Sequence, residues 1–206
     1  MSIADYTDLL VQVSDYTARD DFAQNFPRFV SYAENKLNRR LRVAQMEVID
    51  SIITDTDGAA TLPTDYLEMR EVLNASGVVL ELSPVKALDE YFGPYSGTSA
   101  RYSIVNNAFF AVPKSSHEFT ITYYGKIPAL TVTNTTNWLL TDCPMIYLDG
   151  VSAEVLGWAL ATGREADATK LAAMNGMLNS EVEQLMAADH SARYSNARVL
   201  MSGVNP

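Results

Sequence analysis

Hydrophobic positions recur at helical spacing near both ends of the chain and alternate in its middle. Ile3, Tyr6, Leu9, Leu10 and Val13 predict a short helix over residues 3–17. "ARDD" breaks that pattern, and either aspartate is placed to cap the next helix. Phe22, Phe26, Phe29, Val30, Ala33, Leu37 and Leu41 then predict a long helix over residues 22–43. Pro27 is tolerated only in a first turn, so the regular helix should begin near Asn25 or Phe26.

From residue 46 the pattern becomes that of β structure. "MEVIDSIITDTDGAATL" holds two apolar runs separated by a "DTDG" turn signal. "LPTDYLEMREVLNASGVVLEL" predicts a turn, a strand near Met69–Leu73, a hairpin at "NASG" and a strand near Val78–Leu82. "SPVKALDEYF" predicts a short helix with Ser83 as N-cap and Pro84 at its first position. "RYSIVNNAFFAV" predicts a hairpin around Asn106 and Asn107, and "EFTITYYGK" a strand with Phe119, Ile121 and Tyr123 on one face. Residues 46–126 are thus expected to form one small antiparallel sheet of about five to seven strands.

Helical spacing returns at Pro144, with Asp142 or Thr141 placed as cap, and Ile146, Tyr147, Val151, Val155 and Trp158 marking an apolar face. After a turn at "TGREAD", Leu171, Met174, Leu178, Val182 and Leu185 predict a second helix to about residue 189, completing a helical hairpin. The expected organisation is residues 1–45 as N-terminal bundle helices, 46–126 as an inserted β domain, 127–143 as a linker without clear periodicity, 144–189 as the C-terminal hairpin and 190–206 as an arm. The fold class is α+β: N- and C-terminal helices forming a bundle, an inserted antiparallel sheet and an extended C-terminal tail.

Composition adds a charge problem. The 206 residues carry 25 acidic and 15 basic side chains, a formal net charge of −10. Such a balance argues against broad binding to nucleic acid or anionic membrane. Yet Arg28, Lys36, Arg39, Arg40 and Arg42 crowd into "FPRFVSYAENKLNRRLRV", where Glu34 is the sole acid. At about 100° per residue, Arg28, Asn35, Arg39 and Arg42 lie opposite the apolar stripe, with Lys36 and Arg40 on one flank. The strip is either a solvated helix face or an interface to something acidic: a neighbouring subunit, a partner protein or DNA phosphate. No apolar run approaches membrane-spanning length, and "MSIADYTDLL" carries no signal-peptide pattern, so a soluble chain made in the cytosol is expected.

Chemistry is sparse. Cys143 is the single cysteine, which excludes an intrachain disulfide and a cysteine-based zinc site. His117 and His190 sit in different elements outside any metal or catalytic motif and are expected at the surface. "GPYSGTSAR" lacks a P-loop lysine, and Asp55 and Asp57 before Gly58 lack the glutamate of an EF-hand. Glu81, Asp89 and Glu90 are candidates for a two-carboxylate glycosidase only as acids, with nothing to set them in a cleft. The sequon at Asn134 has no meaning without a secretory signal. Tyr6, Tyr16, Tyr32 and Tyr66 suit core or interface equally. No catalytic, cofactor or metal residue is expected, and the chain is expected not to be an enzyme.

Taken together and in order, "FPRFVSYAENKLNRRLR", "LPTDYLEMREV" and "YYGKIPALTVTNTTNWLLTDCPMIYLDGVSAEV" resemble the helix, turn-strand, linker and helix start of phage head-to-tail adaptor proteins. The resemblance covers about residues 22–160; the tail at 190–206 matches nothing. It implies a virion protein of the neck, assembled in the host bacterial cytoplasm. Such adaptors form a ring, usually of twelve copies, that docks under the portal, joins it to the tail or nozzle and continues the DNA channel. Packaged DNA would pass through the lumen without specific binding. Under that reading Arg28, Lys36, Arg39, Arg40 and Arg42 would meet acids of a neighbouring copy or the portal, and Arg193, Tyr194, Arg198, Val199, Leu200 and Met201 would form an arm that docks on the portal. The alternatives are another neck or tail-completion ring protein, or a cell-wall hydrolase.

Overall fold

A computed structural model describes residues 3–86 and 100–194. The chain is α+β, with five α-helices and two small sheets among the described residues. It divides into two compact units: residues 46–126, and the segments 1–45 and 127–206 together.

The helical unit is built around one buried helix. Helix α1 (Tyr6–Thr17) is capped by Asp5, whose carboxylate accepts from Thr7 N and Asp8 N, and turns the same side of its surface, Tyr6, Leu9 and Val13, inward. Helix α2 (Phe26–Arg40) begins at Phe26 with Pro27 in its first turn and buries Phe26, Phe29, Val30, Ala33 and Leu37. Neither aspartate of "ARDD" caps it. Asp21 instead pairs with Arg19 at 2.7 Å and Arg164 at 3.1 Å. Helix α2 also ends earlier than the hydrophobic period suggested. Leu41 is already extended at ψ 134°, so Leu41 and Val43 are buried by a chain that has left the helix.

The expected linker holds a five-residue helix, α3 (Trp138–Asp142), capped by the Asn137 side chain on Leu140 N. Helix α4 (Pro144–Ala161) comes directly after it. Cys143 stands at its N-cap with no side-chain bond, so neither Asp142 nor Thr141 caps it. Helix α4 is also not amphipathic. Ile146 through Ala153 are all buried, and Val155, Leu156 and Ala159 continue the buried surface. Such all-round burial belongs to a central helix, and α1, α2 and α5 (Ala168–Tyr194) all pack on it. Helix α5 contributes Met174, Leu178 and Val182 and runs through residues 190–194, which the period had placed in the arm.

The β unit has strands β1 (Glu47–Ile53), β2 (Ala59–Thr61), β3 (Tyr66–Asn74), β4 (Glu81–Leu82), β5 (Arg101–Val105), β6 (Ala108–Val112) and β7 (Glu118–Gly125). They form two sheets rather than one, ordered β1-β7-β3 and β2-β6-β5-β4, and β4 runs parallel to β5. The β5–β6 hairpin turns at Asn106 and Asn107, both left-handed at φ 49° and 62°, as a two-residue turn of this twist requires. Phe119, Ile121 and Tyr123 of the central β7 all face the core, where Phe109 packs between Tyr102 and Phe119. The predicted helix over 83–92 lies mostly outside the described residues.

Candidate interaction surface of the helical unit

The basic strip is not uniform. Arg28 donates from Nε to the Tyr32 hydroxyl at 2.9 Å. Lys36 pairs with Glu154 of α4, and Arg40 donates to Asn179 of α5 at 2.7 Å. Arg42 lies beyond the helix end, where its Nη1 satisfies the carbonyls of Asn38 and Leu41. Its expected place on the outer helix face is therefore corrected: the helix stops at Arg40, and Arg42 serves the orphan carbonyls of the last turn. Arg39 is exposed and makes no side-chain hydrogen bond or ion pair among the described residues.

Arg28, Lys36, Arg39 and Arg40 border a groove between α2 and α5 over α4. One end encloses about 230 Å³ and includes Arg39, Arg40, Leu178 and Asn179. The other encloses about 360 Å³ and includes Arg28, Tyr32, Trp158 and Leu171. Lys36, Ala153, Glu154 and Asn175 belong to both, so the two ends are continuous. Small residues of α4 make the floor: Gly150, Ala153, Gly157 and Ala161. The result is an apolar trough with a cationic edge on a chain whose net charge is strongly negative.

Elsewhere on α2, Glu34 fills a role the sequence did not reveal. It is 6 % exposed, and its Oε1 accepts from Leu130 N at 2.8 Å and from the Tyr147 hydroxyl at 2.9 Å. One turn on, Asn38 accepts from Ile127 N at 2.9 Å. Two side chains four apart on α2 thus hold two backbone amides three apart on the returning chain. Asn137 completes the network, donating to Pro128 O at 2.6 Å and to the Tyr147 hydroxyl at 2.7 Å. Burial raises the Glu34 carboxyl above its ordinary value, against the opposing pull of the Leu130 and Tyr147 donors. The conspicuous "AEN", "NW" and "IYL" stretches therefore lock the fold.

The same holds in the β unit, where Asp65 of "LPTDY" accepts from the Tyr123 hydroxyl at 3.0 Å and its carbonyl accepts from Lys126 N at 2.7 Å. Burial first, and then the Asp65 carboxylate, push Tyr123 up to about 12.

The family model described as SU10 adaptor protein covers residues 4–200. The chain belongs to that family. It is a structural phage adaptor and a component of the virion. A comparison with characterised proteins finds no match.

The adaptor's remaining sequence candidates are scattered. His117 and His190 are exposed, and Glu81 is exposed and paired with Arg101 at 3.2 Å. Asp89 and Glu90 lie outside the described residues, as do Arg198, Val199, Leu200 and Met201. Arg193 is in α5 and pairs with Asp189 at 2.7 Å; Tyr194 is the last residue of that helix. One carboxyl pair went unread in the sequence: Asp149 on α4 and Glu181 on α5. Both are raised, chiefly by burial, and Asp149 raises Glu181 further by its charge. Asp149 is 1 % exposed, so it is sealed from any polymeric substrate. No group of three or more His, Cys, Asp or Glu among the described residues could hold a metal. No helix among them is long and apolar enough to cross a membrane.

Proposed function

We propose that the adaptor assembles as a ring, with twelve copies expected, that docks under the phage portal, joins it to the tail or nozzle and continues the DNA channel. Membership of the adaptor family carries this reading, since it ties the chain to other proteins of the phage neck. The groove's edge of Arg28, Lys36, Arg39 and Arg40 supports it. Arg39 keeps its guanidinium uncommitted, which suits a charge-assisted hydrogen bond to an acid on another subunit. Arg42 serves the end of α2 and takes a lesser part. Twelve copies at −10 each give the ring about −120 formal charge, and an acidic channel wall would let DNA move through without adhering. Residues 195–206 serve as the portal-docking arm, with Arg198, Val199, Leu200 and Met201 as its contacts and Arg193 and Tyr194 at its root in the last turn of α5.

Light scattering gives the test: the mass of the purified adaptor alone and after mixing with the portal of the same phage. A stable, stoichiometric complex is expected, and it should be lost when residues 195–206 are deleted. Failure to bind the portal would reassign the protein to another neck or tail component. Normal binding after the deletion would refute the arm alone.

A further inference from the structure

We infer that the groove between α2 and α5 receives the outer face of α1 from a second copy of this chain. The inference rests on the ring reading and names the contact that would propagate it. A ring needs two different, mutually complementary faces on each subunit, because its contacts are heterologous. The groove is one such face, and α1 supplies the other.

Helix α1 leaves Thr7, Val11 and Asp15 exposed, with Asp8 half-buried beside them. Val11 is 51 % exposed, an apolar residue in the middle of a polar face. Asp8 and Asp15 stand about two helical turns apart, roughly 10 Å along the axis, on either side of it. The carboxylate of Asp8 is tied locally, accepting from Ala4 N at 2.8 Å, while Asp15 lies open at the helix end.

The trough is the converse in both shape and charge. Its floor is low where Ala153 and Gly157 sit, which lets a helix approach closely and seats Val11. Its edge presents Arg28, Lys36 and Arg39 over about 16 Å of helical rise, and because Glu154 already holds Lys36, Arg39 is the cation left to face Asp15. Asp15 against Arg39 joins two side chains that are exposed and have no ion-pair partner among the described residues of their own subunit. Like-charged alternatives are disfavoured, since a basic edge repels a basic helix.

Directed disulfide formation tests the contact in the full-length protein carrying Cys143→Ser. Val11→Cys protein is mixed with Asn175→Cys protein at high concentration and low salt. A control pairs Val11→Cys with cysteine at Val132, which is 76 % exposed and away from the groove. The mixed Val11–Asn175 dimer should form several-fold more than the control. Adding Arg39→Glu should remove that excess, and placing Asp15→Lys on the Val11→Cys partner should restore it. Arg39→Gln serves if the reversal disturbs folding by circular dichroism. Yield no better than the control overturns the inference, even if light scattering finds rings; the ring then stands on another contact. Capture of Asn175→Cys by added portal in preference to the Val11→Cys copy also overturns it. A mixed dimer with the expected charge dependence but no closed ring keeps the contact and refutes the ring.

Discussion

Replacing Tyr147 by Phe isolates one oxygen in the network that holds residues 127–137 against α2. Tyr147 is fully buried, and phenylalanine keeps its shape, so packing changes little. What is lost is the donor to Glu34 at 2.9 Å and the acceptor for Asn137 at 2.7 Å. Asn137 retains Pro128 O, and Glu34 retains Leu130 N. A hydrogen bond to a charged group is worth about 1.5–3 kcal/mol, and an amide proton left unpaired adds to that, so a loss of about 2–3 kcal/mol is expected. For a chain of this size that lowers Tm by about 5–10 °C.

Both tryptophans, Trp138 and Trp158, lie in the helical unit, so urea unfolding followed by tryptophan emission reads this unit selectively. The loss should depend on pH in a defined direction. The Tyr147 donor favours the ionised Glu34, so its removal should cost less once Glu34 is protonated, and more near neutrality. Glu34→Gln should abolish that dependence, because the amide oxygen still accepts but no longer titrates. A Tyr147→Phe loss below about 0.5 kcal/mol, or one independent of pH with Glu34 in place, would refute the assignment of the network as the clamp.

Acid titration and backbone geometry each carry a further expectation. Glu34, Asp149 and Glu181 all have raised folded values, so each contributes stability that is full below its ordinary value of 4.5 or 3.8 and is lost as pH rises through its raised one. Asp21 and Asp167 are lowered and act oppositely, but both are open to solvent and weak. Thermal stability should therefore peak on the acid side of neutrality, and a Tm that rises steadily from pH 5 to 8 would contradict this. Gly58 sits at φ +75°, and an added Cβ would lie 2.5 Å from the Ala111 carbonyl oxygen. Gly58→Ala should lose at least about 2 kcal/mol by circular dichroism, whereas Gly77→Ala, with the same φ but open space around it, should lose less.

Period and turn chemistry alone located most elements of this adaptor. Helix spacing marked α1, α2 and α5, alternation marked β7, and "NN" marked the β5–β6 hairpin, because such signals are local to a few residues, whereas the "DTDG" turn joins β1 to β2 across two different sheets. Family resemblance in the ordered stretches gave the phage adaptor assignment. Tertiary structure decided the rest. Helix α4 is central because α1, α2 and α5 surround it, and a single apolar stripe in its sequence concealed that. The β strands split into two sheets because partner choice joins residues far apart in the chain. Glu34 read as a lone acid among cations, yet it is the buried acceptor for an amide 96 positions away. The cations divide into Arg42, which closes a helix end, and Arg39, which remains open. That division depends on where α2 stops and what packs beside it, so it exists only once the chain has folded.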